Sequence, residues 1–536
     1  MLMRRRDFAI LALTFALAAC GPNAEAPTEG AATEMVLHRG NTAEPESLDP
    51  SQTSTLWAAH IEGDLFLGLY TEDAEGKTIP GAAVESSVSE DSLTWTFHLR
   101  DHLWSDGTPV TAGDFVFAWH RMVDPKTAAK YASILYPFKN AQAIVEGKIP
   151  PSSLGARTID DKTIELELEQ PTPFLPELLT HGTTYPVPRH IIESKGDAWV
   201  RPGNLVSNGA YTLSEWAPRD HITLVKNHRF YDSANVKIDR VVFYPTEDSQ
   251  AALRRLRAGE LDTQDPLPAQ QIDWIRANIP EMLKQSPILS LDYVVMNQMR
   301  KPFDDVRVRE ALNLGYDRET LTNVIYRLGE VPAYNIVPPG VANYPGGASF
   351  AFKDTPKAER IARAQALMRQ AGYGPDKPLR TTYMTSALPD ARRAAAAVQD
   401  MWKEIYIELE IVQLEGQIAY ARLKEQDFDI SAAAWIADFN DASNFLFLLT
   451  TSNGGLNYGR YSSEEYDRAF KAASGEIDLA KRGQLFLEAE KIALRDHALI
   501  TRDFRSTRTL VQPYVKGWIP NAKDVNRTRW LSVERP

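Results

Sequence analysis

Two rhythms of apolar and polar residues run along this chain of 536 residues. Leu93-Thr94-Trp95-Thr96-Phe97-His98-Leu99 alternates β-favouring side chains with period two, and Ser105-Asp106-Gly107 then supplies a turn. Residues 159–168 alternate again, broken by a turn at Asp160-Asp161-Lys162. Between them, residues 114–122 place apolar side chains at helical spacing behind Thr111, a suitable cap. This strand, turn, helix, strand series continues to about residue 300. Beyond it the helical rhythm dominates. Residues 356–371 carry Ala, Leu and Met at helical spacing and stop at Gly372, the residue type that takes a left-handed terminator most easily. Residues 391–405, 464–473 and 477–492 predict further helices, and 408–414 and 428–435 predict buried strands. Pro338-Pro339-Gly340 and Tyr344-Pro345-Gly346-Gly347 punctuate the loop leading into this half. The pattern is mixed α/β, with no repeat of fixed period.

One apolar run fits neither rhythm. Arg4-Arg5-Arg6 precedes a nearly unbroken stretch, residues 8–19, that ends in Leu17-Ala18-Ala19-Cys20. A basic start, a short apolar run and small residues before a cut form an export signal. The run falls short of the roughly 20 apolar residues needed to span a bilayer. Leu-Ala-Ala-Cys resembles the lipobox of bacterial lipoproteins, which makes Cys20 the expected site of lipid attachment and the mature N-terminus. It is the only cysteine, so an internal disulfide or a cysteine metal cluster is excluded. Arg5-Arg6-Asp7-Phe8 also resembles a twin-arginine signal. Residues 20–34 are small and polar and read as a flexible tether. Removing residues 1–19, with their three Arg and one Asp, moves the formal charge from −12 to −14. Dispersed negative charge offers nothing for nucleic acid to bind. The expected product is a monomeric body on a lipid tether at the cell envelope, most simply in the periplasm of a Gram-negative bacterium.

Recognisable catalytic signatures are missing. The ten histidines are scattered without a metal-ligand spacing, and no phosphate loop, dinucleotide fingerprint or nucleophile elbow occurs. No cofactor and no metal are therefore expected. Asp304-Asp305 and Asp160-Asp161 are acid pairs in turns, read as solvated. Catalytic groups assembled from distant residues stay open on this reading.

Several segments do carry a resemblance. They are Pro45-Glu46-Ser47-Leu48-Asp49-Pro50, residues 95–100, Trp104-Ser105-Asp106-Gly107-Thr108-Pro109-Val110-Thr111-Ala112 with Asp114-Phe115, Tyr131-Ala132-Ser133, and Asn208-Gly209-Ala210-Tyr211. Pro302-Phe303 with Asp305-Val306-Arg307-Val308-Arg309, Ala371-Gly372-Tyr373 and residues 435–440 follow. In this order, and over nearly the whole mature chain, the set resembles the extracytoplasmic oligopeptide-binding proteins of ABC importers, the peptide and nickel solute-binding family 5. The resemblance implies an α/β, two-lobed periplasmic-binding-protein type II fold with an additional inserted domain. One lobe would combine residues 35–66, 191–288 and 506–536, the inserted domain would cover 67–190, and the other lobe 289–505. It implies capture of short peptides and delivery to the permease subunits of an ABC transporter, without catalysis. Alternatives are a lipoprotein that senses peptides or scavenges cell-wall peptides, and an extracytoplasmic hydrolase.

The same resemblance nominates site residues. Asp438, three residues after Trp435, would pair with the peptide ammonium, which needs a fixed anion in a dry cleft. Tyr131 would hydrogen-bond near the peptide N-terminus. The backbone of 53–56, including Ser54 and Thr55, and of Ala434 to Ile436 would pair with an extended ligand. Asn208 supplies a turn near a domain crossing and could also line the cleft. Departures accompany the match. A glutamate four residues beyond the Ser-Leu-Asp-Pro proline is Ser54 here, and the two ends of a family disulfide fall at Ile436 and near Leu289, where packing could replace the bridge. No histidine matches the group that meets the peptide C-terminus; Arg392 and Lys424 are substitutes to test. If Cys20 carries the lipid, Cys20→Ser will move the protein from the membrane fraction to the soluble fraction on cell fractionation, with its far-UV circular dichroism unchanged.

Overall fold

The computed structural model describes residues 34–535; the export signal, Cys20 and nearly all of the tether lie outside them. Three main sheets organise the body. The first has seven strands drawn from distant parts of the sequence, in the order Leu283–Lys284, Thr509–Val511, Thr263–Gln264, Val36–Gly40, Arg240–Tyr244, His221–Lys226 and Tyr211–Ala217. Val36–Gly40 runs parallel to both of its neighbours, and the outer pairs are antiparallel. The second has six strands, Val331–Pro332, Ile500–Phe504, Ser290–Met296, Ile430–Ile436, Leu379–Ser386 and Ile407–Leu414. Every position of Ser290–Met296 is buried, as expected of a strand covered on both faces. The third is a four-stranded antiparallel sheet of Ala83–Val88, Thr94–Leu99, Thr163–Glu167 and Ala156–Asp160.

The elements form where the residue pattern predicts them. Helix Ala112–Val123 starts behind Thr111, whose N–H donates to the Asp114 carboxylate at 2.9 Å, a capping arrangement. Helix Lys357–Gln370 ends at Gly372 with φ +92°. The last long helix runs Leu479–Arg495 rather than 477–492, because the Asp478 side chain accepts the Lys481 N–H at 2.9 Å and fixes the start two residues later. Among the described residues, no helix is long and apolar enough to cross a membrane.

Two large apolar cores result. One surrounds the six-stranded sheet and includes Leu291, Val294, Trp402, Phe445 and Phe486. The other joins Leu37, Tyr211 and Val241 of the seven-stranded sheet to Phe97, Trp104, Trp119 and Ile164 of the four-stranded layer. These two sheets therefore share one interior, while the six-stranded sheet has its own. Two antiparallel segments link the cores. Thr507 N–H donates to Ser286 O at 2.8 Å, Ser286 N–H to Thr507 Oγ1 at 3.0 Å, and Ile288 N–H to Arg505 O at 2.9 Å.

A buried ion pair fixes the loop after Ile430–Ile436. Arg482 donates to Asp441 at 3.0 and 3.3 Å and to the carbonyls of Ala473 and Ser474, both at 2.9 Å. Both side chains are almost wholly buried, so removing one partner strands the other charge. Asp441→Ala should lower the unfolding free energy by about 3–5 kcal/mol in urea titration of the ligand-free protein.

Candidate binding site

A cavity of about 380 Å³ opens where the strand Ile430–Ile436 leaves the six-stranded sheet and meets residues 53–56, 177–185 and 522–527. Its floor is a continuation of the ladder: Ala437 N–H donates to Leu289 O at 2.8 Å, and Leu289 N–H donates to Ala522 O at 2.9 Å. Strand Ile430–Ile436 pairs along its whole length with Ser290–Met296, but its pairing with Leu379–Ser386 ends at Ser431. Ala437 N–H points at Leu289 O, so alternation along the strand turns the N–H and C=O groups of Ala434 and Ile436 away from Ser290–Met296, toward the uncovered edge. This short edge is therefore available to an extended ligand.

Asp438 and Tyr131 come together from opposite cores: the Tyr131 hydroxyl donates to Asp438 Oδ1, and the Tyr131 ring packs edge-on against His181 at 5.5 Å. Burial pushes the Asp438 pKa above its ordinary value, opposed by the Tyr131 bond. Beside them Phe439 stacks on Phe174 at 4.5 Å and 8° between planes, and Arg482 lies 5.4 Å from the Phe174 centroid. Ser54, Thr55 and Ile436 also line the cavity.

Other expected residues stand elsewhere. Ala434 and Trp435 do not line this cavity; Ala434 is exposed on the open edge, and Trp435 donates its indole N–H to Asn444 Oδ1 at 2.8 Å and packs on Phe447. Asn208 is not in the cleft. Its buried amide accepts the Leu67 N–H and donates to the Leu67 carbonyl, both at 2.9 Å, so its hydrogen-bonding capacity is spent holding the chain after helix Leu56–Leu65. Residues 53–56 are not a free edge either. Ser54 N–H and the Thr55 hydroxyl both donate to the Glu46 carboxylate, at 3.0 and 2.8 Å, and Thr55 O accepts the first helical bond from Ala59. Leu289 is buried but Ile436 is 46% exposed into the cavity, so this pair offers an apolar surface to a ligand instead of a packed replacement for a disulfide. Arg392 and Lys424 lie outside the cavity.

Several lining groups escaped the sequence pattern, among them Glu62, His181, Lys523, Asp524 and Arg527. Glu62 carried a usable signal: Ile61-Glu62-Gly63-Asp64-Leu65 places two acids in an otherwise apolar helix, and both are buried. Gly63 leaves room there for the Arg527 guanidinium, which would have to move for any larger residue, since a Cβ would sit 1.1 Å from it. Among the described residues no cluster of histidine, cysteine, aspartate and glutamate is arranged to hold a metal.

Two independently cored lobes with a ligand-sized cleft and an open strand edge between them define a bacterial solute-binding protein. The chain matches bacterial extracellular solute-binding proteins, family 5, over residues 77–457, and belongs to that family. It is 36% identical to the periplasmic oligopeptide-binding protein OppA of Escherichia coli, over 91% of this chain and 90% of that protein. Among solved structures, it superposes on the unliganded open form of the periplasmic murein tripeptide-binding protein MppA with a TM-score of 0.86, at 34% identity over 94% of this chain and 98% of that one. The complex of Haemophilus influenzae OppA with the peptide RPPGFSPFR gives 0.73, at 32% identity over 94% and 99%.

Burial raises the Glu62 pKa to about 8, opposed by its bond from Thr53. Between its unfolded pKa near the ordinary carboxyl value and about 8, the folded state holds a proton that the unfolded state has lost, so stability falls as pH rises through this window. Glu62→Gln should flatten that fall by more than about 1.4 kcal/mol between the ends of the window, the worth of one pK unit, as read by denaturant unfolding at each pH.

Proposed function

We propose that this protein captures short peptides between its lobes and delivers them to the permease subunits of an ABC importer. The observation that carries this reading is the open edge at Ala434 and Ile436 running directly into Asp438, a partly buried carboxyl that lines the cavity. An extended peptide adding to that edge gains main-chain hydrogen bonds that do not depend on its side chains. Its N-terminal ammonium supplies the cation that Asp438 lacks, and Tyr131 is placed to hydrogen-bond beside it. Membership of a family of binding proteins, with a peptide complex among its relatives, supports the same reading. On this reading the protein works as a monomer in the periplasm, tethered by lipid at Cys20, and binds without catalysing a reaction. The lobe limits at 35–66, 191–288 and 506–536, 67–190, and 289–505 are supported by the sheets, whose main strands each draw on one of these sets. The close superposition on a murein tripeptide binder favours a second use, recovery of cell-wall peptides; uptake of labelled murein tripeptide by a deletion strain separates the two.

The test is calorimetric. Asp438→Asn keeps the side-chain shape but removes the charge, and truncating one partner of a desolvated pair costs about 2–5 kcal/mol. Peptides with free amines should bind the variant at least about tenfold more weakly, while N-acetylated peptides should bind the wild type poorly and lose little more. Equal affinity of both proteins for a free-amine peptide would remove Asp438 from the site.

A further inference from the structure

We propose that the cleft selects ligands carrying a second positive charge, a peptide with a basic side chain in addition to its N-terminal ammonium; the inference rests on the peptide reading and names its substrate class. The ground is the count of charges on the cavity wall. Five carboxyl groups line it, from Glu62, Glu72, Glu177, Asp438 and Asp524, against two permanent cations, Lys523 and Arg527. Both cations are already engaged. Lys523 Nζ lies 2.6 Å from Glu177, and Arg527 lies 3.0 Å from Glu72 and donates to the Tyr185 hydroxyl at 2.9 Å. His181 does not help, because burial drives its pKa down to about 4 and leaves it neutral. Three carboxyls remain without a counter-ion, and the ammonium of a peptide at Asp438 answers one of them.

Glu62 is the leading candidate for the second cation. It is 2% exposed; its Oε1 accepts from Thr53 at 2.9 Å, and among the described residues no hydrogen bond or ion pair reaches Oε2. The wall opposite is glycine. A Cβ on Gly182 would stand 3.4 Å from Oε2, so the absence of a side chain keeps that oxygen approachable from the cavity. The charges that bear on Glu62 are Arg527, committed to Glu72, and the carboxylates of Asp49 and Glu46, which oppose its ionisation. Asp524 likewise has no side-chain hydrogen bond or ion pair among the described residues; it bears on Asp265, with Arg39 and Arg508 as partial compensation, and its pKa is raised to about 7 by burial first and Asp265 second. Carboxyls crowded out of water hold protons until a cation arrives. A basic side chain entering the cavity lets them ionise, and the protons leave to solvent. An acidic side chain meets repulsion in the same place, so selectivity comes from both terms.

Calorimetry of the wild type near neutral pH tests this with alanine tripeptides carrying lysine at the first, second or third position, each against its norleucine counterpart, in two buffers of different ionisation enthalpy. The best lysine peptide should bind at least about tenfold tighter than its norleucine partner and release more protons. In Glu62→Gln that ratio should shrink to less than roughly threefold; should this variant fail to fold, Asp524→Asn and the proton release of the wild type give the decision. Norleucine and lysine peptides bound equally well overturn charge selection and leave peptide capture standing. Absence of binding by either series overturns both.

Discussion

The carboxyl of Asp438, partly buried and met across the cleft by the phenol of Tyr131, is the contact on which the rest of the site turns. Asp438 belongs to the loop after the strand Ile430–Ile436, and Tyr131 belongs to the side of the molecule built on the other core. In the absence of ligand the phenol answers part of the carboxylate's need for donors. It supplies no charge and reaches only Oδ1, so the carboxyl is left partly unsatisfied in hydrogen bonding and without a counter-ion among the described residues.

The position of that carboxyl is set from behind. Asp441, three residues further on, is locked by Arg482, which itself ties down the end of helix Glu464–Ser474 through the carbonyls of Ala473 and Ser474. The same guanidinium reaches over Phe174, the ring that stacks on Phe439. One arginine thus connects the interior of the six-stranded lobe to the aromatic contact between lobes. The lobes are also joined by the paired segments at 286–288 and 505–507, by the bond from Leu289 to Ala522, by the Arg327–Asp273 ion pair at 2.6 Å, and by Leu328, which packs with Leu253 and Leu510. A binding protein needs this division: each core is rigid by its own packing, and relative motion is left to a few backbone positions.

Much of the architecture was legible in the residue pattern because it is local. Period two at residues 93–99, helical spacing behind Thr111, and the stop at Gly372 each depend on neighbours a few residues away, and the structure places strand Thr94–Leu99, helix Ala112–Val123 and the end of helix Lys357–Gln370 accordingly. The ordered family motifs likewise pointed to two lobes, and to Asp438 and Tyr131, which meet in the cleft. Asn208 shows the limit. A polar residue in a turn reads equally well as a ligand contact or a clasp, and the two hydrogen bonds to Leu67 that decide the matter come from a segment 141 residues away.

By itself, then, the sequence determined the α/β class, the approximate places of the strands and helices that show a clear period, and the segment that carries Asp438. Tertiary structure alone decided which carboxyls are left uncompensated. Glu62 lines the cleft without a counter-ion because the nearby Arg527 is paired with Glu72; Asp524 reaches the same space from near the C-terminus. No spacing rule connects residues 62, 72, 177, 182, 438 and 524. Their relation is one of charge balance within a shared, water-poor volume, and that balance exists only after folding has brought them to one wall and assigned each cation its partner.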